Sequence, residues 1–294
     1  MLTTGTTFAT EKEWLSERTK GVGASEAAAA LGVSLYETPI DLWQKKTHRA
    51  PPTEENEAMM MGRLLEPILA TLYERRTGRL VGRRQEFFRH PIHDFITATI
   101  DGATDDRLVE FKTCGAWAKE WGDEDSDQIP EPYLVQVAQQ MFVTGYEVAD
   151  VAVLIGGQRF KVFTVERDHG LVNAVAEGVR RFWDCVIQDT PPTWGRMTPG
   201  SLAVLNPECM GEMAFDPGTA GCVLRYEEAK KAAKEKEEEA ERFKLMILSA
   251  LGNHQYGILP DGRRIKRHLS RMPAKTISFS EHTRHYISFT KAGK

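Results

Sequence analysis

Three charged residues, Asp101, Glu110 and Lys112, lie in two segments whose remaining residues predict β-strands. Side chains alternate between the two faces of a strand, so Glu110 and Lys112 share one face and Phe111 enters the other. Residues 102–107 join the two segments and predict a hairpin, which would bring Asp101 beside Glu110. Two carboxylates and an ammonium group would then converge at one point of the sheet.

This cluster has two interpretations. An isolated Glu-x-Lys pair is usually a salt bridge on a solvated sheet face. However, the strand FITAT before Asp101 is apolar and small, which favours burial of a carboxylate that is costly to leave unpaired. Mg²⁺ would offset that cost, with oxygen ligands from Asp101, Glu110 and the Phe111 backbone carbonyl, and Mn²⁺ is expected to substitute. With Lys112 orienting water or neutralising charge on phosphate, the set predicts phosphodiester hydrolysis.

Polar residues on two predicted helices are further candidates. Glu66 lies in the predicted helix 58–77 and is either an outer carboxylate of the site or an ordinary exposed residue. Gln136 and Gln140 lie one turn apart on the predicted helix 132–144, so their amides share a face. The two amides could orient water or phosphate, or they could be half-exposed surface groups.

The elements around these residues predict an α/β (α+β) fold. A Pro/Gly-rich segment, 189–201, predicts a linker between a core of residues 1–195 and an extension of 196–294. The extension contains a long charged helix, 223–250, a hairpin around LPDGRR and a β-rich tail. Predicted strands of the core are RQEFFRH, FITATID, RLVEFKT, VADVAVLIGG and RFKVFTVERD; predicted helices lie in 11–34 with Ser25 as an N-cap, 39–47, 58–77 with Pro67 in the first turn or at a kink, 132–144 and 170–188.

The composition excludes several classes of protein. The 294 residues are 41% hydrophobic and 27% charged, which is typical of a globular protein with a sizeable core. A formal net charge of −4 excludes a global basic field, so DNA would be held by local patches such as the arginine-rich stretches 74–84 and 262–271. The absence of a long apolar run and of a leader predicts a cytoplasmic protein with no membrane partner. The four cysteines form no C-x-x-C pair, which argues against a zinc or iron–sulfur site.

The order of motifs along the chain is more specific than any single motif. The motifs are W-x(3)-R-x(2)-GVGASE from Trp14 to Glu26, GRLLEP from Gly62 to Pro67, TIDG from Thr99 to Gly102, VEFK ending at Lys112, and YLVQVAQQMFVTG from Tyr133 to Gly145. In this order they resemble the YqaJ-type viral recombinase and phage lambda exonuclease-like family of the PD-(D/E)XK nuclease superfamily, over about residues 14–190. One departure is Ile100, which stands where the superfamily name has proline.

The resemblance implies a restriction-endonuclease-like core with a central mixed β-sheet flanked by helices. It also implies a Mg²⁺-dependent exonuclease that digests double-stranded DNA ends from 5′ to 3′ and leaves 3′ single-stranded overhangs. Such enzymes are typically ring-shaped homotrimers that pass the overhang to a single-strand annealing protein. The implied origin is a phage or prophage recombination system acting in the cytoplasm of a bacterial host.

The resemblance also assigns roles to single residues. Asp101 and Glu110 match the metal ligands, and Lys112 matches the catalytic lysine. Glu66 matches an additional acidic residue that helps to organise the metals, and Gln136 matches a glutamine of the active site. Two residues, Arg18 and Ser25, match contacts to a DNA 5′-phosphate.

Two other functions stay open. One is a RecB- or Cas4-like nuclease of the same fold, although the iron–sulfur relatives in that group use four clustered cysteines. The other is a non-catalytic scaffold that binds DNA ends on a decayed nuclease fold. The presence of Asp101, Glu110 and Lys112 together speaks against the scaffold.

Overall fold

The computed structural model describes residues 5–50, 56–116, 118, 121–123, 126, 128–206, 208 and 211–267. Contacts divide the chain into two compact units, Met1–Pro207 and Glu208–Lys294. This division falls later than the predicted boundary after residue 195, because the segment interpreted as a linker packs on the first unit. The indole of Trp194 donates to the Ala30 carbonyl at 3.0 Å, and Ser201 is fully buried.

The elements of the first unit agree closely with those predicted from the sequence. Pro67 lies in the middle of the helix Glu57–Thr77, which excludes the first turn as one of its two predicted positions. The short strand Val22–Gly23 and the helix Pro199–Leu205 were not predicted. The elements are α1 (Glu11–Thr19), β1 (Val22–Gly23), α2 (Ala24–Leu31), α3 (Pro39–Lys46), α4 (Glu57–Thr77), β2 (Arg83–Arg89), β3 (Ile96–Ala103), β4 (Leu108–Cys114), α5 (Glu131–Thr144), β5 (Val148–Ile155), β6 (Arg159–Glu166), α6 (His169–Ile187) and α7 (Pro199–Leu205).

A mixed β-sheet forms the centre of this unit. The strand order is β1-β3-β4-β5-β6, and β2 also pairs with β3. The β1–β3 and β4–β5 pairs are parallel, whereas β2–β3, β3–β4 and β5–β6 are antiparallel. The predicted central mixed sheet with flanking helices is therefore confirmed.

Apolar side chains cover both faces of the sheet. Helices α2, α5 and α6 pack on one face, where Leu108 belongs to the larger core cluster. Helix α4 packs on the other face, where Tyr73 meets Val109 and Phe111. The alternation predicted for β4 is confirmed, since Leu108 and Val109 enter opposite cores. This alternation fixes the face on which Glu110 lies.

The second unit is a helix followed by a hairpin. It contains α8 (Pro217–Leu251), β7 (Tyr256–Ile258) and β8 (Arg264–Lys266), with β7 and β8 antiparallel. The predicted helix 223–250 and the hairpin around LPDGRR are both present, while the predicted β-rich tail lies outside the described residues. Within the described ranges, no helix combines the length and the apolar character that crossing a membrane requires.

Candidate active site

The two strands that carry the acidic residues separate where those residues lie. Strands β3 and β4 pair at Gly102–Val109 and Ala103–Leu108. At the next residue, Asp101, a side-chain hydrogen bond takes the place of the backbone bonds between the strands: Asp101 Oδ2 accepts the Phe111 backbone N–H at 2.9 Å. From there β4 follows β5, and the space between β3 and β4 opens. We call this opening the fork.

Glu110 lies in the fork and is held from several sides. Its side chain is 2% exposed. Oε1 accepts hydrogen bonds from Lys112 Nζ at 2.5 Å and from Gln136 Nε2 at 2.5 Å. Oε2 accepts one from Gln140 Nε2 at 2.6 Å. Both oxygens of a buried carboxylate are thus satisfied, as its charge requires.

Three buried glutamines of α5 occupy the gap that the fork creates. Strand β2 pairs along nearly the whole of one edge of β3, so β1 and β4 must share the other edge and leave a gap between them. In this gap the carbonyl of Thr97 accepts from Gln139 Nε2 at 2.8 Å, and that of Thr99 accepts from Gln140 Nε2 at 3.4 Å. Gln139 also donates to the Val22 carbonyl at 2.8 Å and so joins β1 to β3. Side-chain amides here take the place of a neighbouring strand.

Burial and mutual repulsion define the electrostatics of the fork. Burial, reinforced by the negative charge of Glu110, raises the pKa of Asp101 well above its usual range. Burial lowers the pKa of Lys112, but the carboxylates of Glu110 and Asp101 outweigh it, and the net pKa of Lys112 is raised. Lys112 is therefore a firmly protonated cation between two carboxyl groups. Its Nζ also lies 5.2 Å from the ring centre of Tyr133.

Glu66 approaches the fork from α4 and has a partner that the sequence does not reveal. Gln85 Nε2 donates to Glu66 Oε1 at 2.6 Å. Gln85 has a φ of 52°, which is unusual for a residue other than glycine and is often found at functional sites. Both of its neighbours in β2 pair with β3, but Gln85 itself does not. Burial raises the pKa of Glu66, which also feels the charges of Glu110 and Lys112.

The donor set at the fork fits a hard cation. Among the described residues, no three His, Cys, Asp or Glu side chains converge as a ready-made metal site. The candidate ligands are therefore Asp101, Glu110 and the Phe111 carbonyl, and Mg²⁺ needs only one or two carboxylates beside water and phosphate. The raised pKa of Asp101 shows that the protein alone disfavours its negative charge. A bound cation would relieve that penalty.

Arg18 and Ser25 form a second polar group, at the junction of α1 and α2. Arg18 Nη2 donates to Ser25 Oγ at 3.2 Å, and its guanidinium lies 4.8 Å from the ring centre of Trp14. The Trp14 indole donates to Thr99 Oγ1 at 3.0 Å, which ties this junction to the strand that carries Asp101. We call Arg18, Ser25 and the adjoining start of α2 the junction pocket.

The cap of α2 differs from the prediction. Ser25 is not the N-cap; that position belongs to Gly23, and Ser25 lies in the first turn. The Glu26 carboxylate accepts the Gly23 N–H at 2.8 Å and so does the capping from within the helix. Because Ser25 is exposed and not engaged in capping, its hydroxyl can face Arg18.

The structure thus brings Asp101, Glu110, Lys112 and Gln136 together, with Glu66 at the margin. Arg18 and Ser25 meet each other at a separate point. The spacing of Gln140 to Gln136 predicts that its amide also faces the site, and in the structure that amide donates to Glu110. Gln139 and Gln85 were missed; Gln139 lies on the same helix, whereas no local pattern indicates Gln85.

Comparison with known families identifies a match over the segment that contains these residues. Residues 13–147 match the family described as the YqaJ-like viral recombinase domain. We refer to this matched segment as the YqaJ-like domain. The resemblance inferred from the ordered motifs is confirmed, and the YqaJ-like domain contains both the fork and the junction pocket.

Relatives of the YqaJ-like domain occur in a bacterium and a virus. The YqaJ protein of Bacillus subtilis (strain 168) is 41% identical over 178 residues, which cover 58% of this chain and 55% of YqaJ. Protein R354 of Acanthamoeba polyphaga mimivirus is 30% identical over 152 residues, 47% of this chain and 28% of R354. The match spans about half of the first relative and less of the second.

One solved structure illustrates a more distant similarity. An alkaline exonuclease from Laribacter hongkongensis is 20% identical, with a TM-score of 0.48, over 60% of this chain and 93% of that chain. A likeness at this level is too remote to assign an activity to the YqaJ-like domain.

Proposed function

We propose that the YqaJ-like domain is a Mg²⁺-dependent deoxyribonuclease that digests double-stranded DNA from its 5′ ends. The observation that carries the proposal is the fork, where two carboxylates and a lysine converge beside buried glutamines. A simple surface salt bridge would not need a carboxylate that is 2% exposed and bonded on both oxygens. The match of residues 13–147 to a viral recombinase family supports a DNA substrate.

The residues of the fork have distinct proposed roles. Asp101, Glu110 and the Phe111 carbonyl would hold the cation, which when bound would polarise a phosphoryl oxygen and acidify a water molecule. Lys112, kept protonated by its carboxylate neighbours, would neutralise charge that develops on the phosphate. Gln136 would keep the Glu110 carboxylate in one orientation.

The junction pocket would supply the direction of digestion. A 5′-terminal phosphate carries more negative charge than an internal one, and the planar guanidinium of Arg18 can bind it with two hydrogen bonds. Ser25 and the first backbone N–H groups of α2 add donors at a helix N-terminus. Trp14 connects the pocket to β3, which would hold a bound DNA end at a fixed position relative to the fork.

Digestion in this direction would leave a 3′ single-stranded overhang for a single-strand annealing protein. The proposed setting is a phage-type recombination system in a bacterial cytoplasm, and the proposed assembly is a ring-shaped homotrimer. These points rest on the family resemblance. Static light scattering tests the assembly, with an expected mass of three chains of 33.1 kDa.

The nuclease proposal is tested with linear duplex DNA labelled on either end of one strand. Wild-type protein with Mg²⁺ should release mononucleotides from 5′ ends and spare covalently closed circles. Glu110→Gln should abolish release, because the amide cannot replace the carboxylate as a ligand. Chelator should have the same effect on the wild type.

Other outcomes separate the alternatives. Binding of duplex ends with no cleavage under any divalent cation would favour the non-catalytic scaffold. Cleavage of closed circles, or equal attack from 3′ ends, would favour a RecB- or Cas4-like nuclease. Full activity of Glu110→Gln would remove the fork from the mechanism.

A further inference from the structure

We propose that Lys46 determines the preference of the junction pocket for a 5′-terminal phosphate, because it neutralises Glu26 and leaves the charge of Arg18 available to the anion. The inference rests on the proposed function, which assigns Arg18 and Ser25 to the terminal phosphate. Lys46 is a positioning residue here, since its contacts are with protein groups.

Lys46 is a buried cation directed at the pocket. It is the last residue of α3, and its side chain is 5% exposed. Its Nζ lies 2.7 Å from Glu26 Oε2 and donates to the Arg18 carbonyl at 2.9 Å. Lysine is almost never fully buried unless it is paired. Both partners belong to the junction of α1 and α2, so Lys46 joins the two segments that form the pocket.

Glu26 caps α2, but its negative charge opposes the binding of a phosphate nearby. Its Oε2 accepts the Gly23 N–H at 2.8 Å and caps α2. Its Oε1 lies 3.5 Å from Arg18 Nη2, close enough to compete for that guanidinium. A carboxylate at this position would also repel a terminal phosphate. The cap and the binding site therefore need a second cation if both are to work.

Counting charges shows what Lys46 contributes. Within the group of three that pair directly, Arg18 and Lys46 both contact the Glu26 carboxylate, which leaves one surplus positive charge; Glu37 is paired with Lys45. Without Lys46, Arg18 would be neutralised by Glu26 and no surplus would remain. Removing the carboxylate as well would restore the surplus. A purely structural role for Lys46 would instead weaken binding of the phosphorylated and the hydroxyl ends alike and leave the ratio of their Kd values unchanged.

The test measures binding rather than cleavage, so that it does not depend on the fork. Fluorescence anisotropy in chelator gives the Kd of one duplex oligonucleotide with a 5′-phosphate and of the same duplex with a 5′-hydroxyl. Lys46→Met should reduce the preference for the phosphorylated end by about tenfold, as should Arg18→Ala. The double variant Lys46→Met/Glu26→Gln should recover it, since glutamine can still cap the helix.

Lys45→Met is the matched control. Lys45 precedes Lys46 on α3 and also pairs with a glutamate, but that partner is Glu37. Its loss should leave the ratio of the two Kd values unchanged. Circular dichroism on each variant checks that α1–α3 remain folded. If Lys46→Met alone is unstable because it leaves Glu26 unpaired, the double variant still tests the idea.

An unchanged Kd ratio in Lys46→Met, or no recovery in the double variant, would overturn the inference. Equal binding of both ends by the wild type would also overturn it, because the pocket would then not read the phosphate. That result would leave the nuclease proposal standing, since digestion of linear DNA with Mg²⁺ is measured separately. If instead the wild type did not digest linear DNA but still preferred the phosphorylated end, the nuclease proposal would fail and the inference about Lys46 would stand.

Discussion

Gln136 and Gln140 contact the same carboxylate, yet their removal should have unequal consequences. Methionine is the informative replacement, because it keeps the length of the side chain and removes the donor. Oε1 of Glu110 accepts from both Lys112 and Gln136, so Gln136→Met leaves a charged donor on that oxygen. Gln140→Met removes the amide from Oε2 and also the longer bond to the Thr99 carbonyl.

The size of the difference follows from burial. A hydrogen bond to a charged group contributes about 1.5–3 kcal/mol, and the upper part of that range applies where the charge is buried. Glu110 is 2% exposed, so Gln140→Met should lower the free energy of unfolding by about 2–3 kcal/mol. Gln136→Met should lower it by about 1 kcal/mol, because Lys112 remains. The order should reverse for catalysis, with Gln136→Met losing more turnover.

Urea unfolding at 25 °C in chelator measures the first quantity, and digestion of linear duplex with Mg²⁺ measures the second. Gln139→Met is the control, because Gln139 donates to Val22 and Thr97 and not to Glu110. Gln139→Met should lower the free energy of unfolding while leaving the hydrogen bonds to Glu110 intact. If Gln136→Met costs as much stability as Gln140→Met, Lys112 does not share Oε1 as the structure indicates, and the argument fails.

Three further predictions concern the fork. Burial and the charge of Glu110 raise the pKa of Asp101, so the stability that protonated Asp101 contributes in chelator is present at acid pH and is lost as pH rises through that pKa. Asp101→Asn should flatten this pH dependence in thermal unfolding. Mg²⁺ at 100 times its Kd should stabilise the wild type by about 2.7 kcal/mol but should not stabilise the variant. Lys112→Met should retain Mg²⁺ binding in calorimetry and lose turnover at least about a hundredfold, and a variant that loses both would instead mark Lys112 as essential to the metal site. Gln85→Gly should change unfolding free energy by less than about 1 kcal/mol, since relief of its positive φ offsets the lost bond to Glu66, yet slow digestion; a large loss of stability would show that Gln85 is structural.

Much of the fold could be predicted because local and tertiary preferences agree. Alternation in β4 places Val109 and Phe111 in one core and Leu108 in the other, as the apolar pattern indicates. The hairpin through residues 102–107 brings Asp101 next to β4, so the proximity of Asp101 and Glu110 could be predicted from the hairpin and the period-two spacing. The spacing of Gln136 and Gln140 likewise predicted a shared face of α5.

The features that escaped prediction depend on contacts between distant segments. Gln85 adopts its positive φ at the one position between Arg84 and Glu86 that does not pair with β3, where its amide reaches Glu66 on α4, and nothing in RQEFFRH marks that residue. Serine is a favoured N-cap residue type, but the N-cap of α2 is Gly23, and Glu26 rather than Ser25 makes the capping bond. The segment 189–201 has the Pro/Gly content of a linker, yet Trp194 finds a carbonyl acceptor on α2. For Gln85 and Trp194 a tertiary partner outweighs the local propensity, whereas for Ser25 the competing residue is its own neighbour Glu26.

The fork also shows why the site and the irregularity of the sheet coincide. A regular ladder between β3 and β4 would pair the backbone next to Asp101 and close the space in which two carboxylates and a cation must meet. Opening the ladder leaves carbonyl groups of β3 without a strand partner, and a buried carbonyl without a hydrogen bond is costly. The glutamines of α5 remove that cost, because their amides bond Thr97, Thr99 and Glu110 at once. Polar residues on the buried face of a helix, which would ordinarily weaken a core, are here what permits the sheet to open at its reactive point.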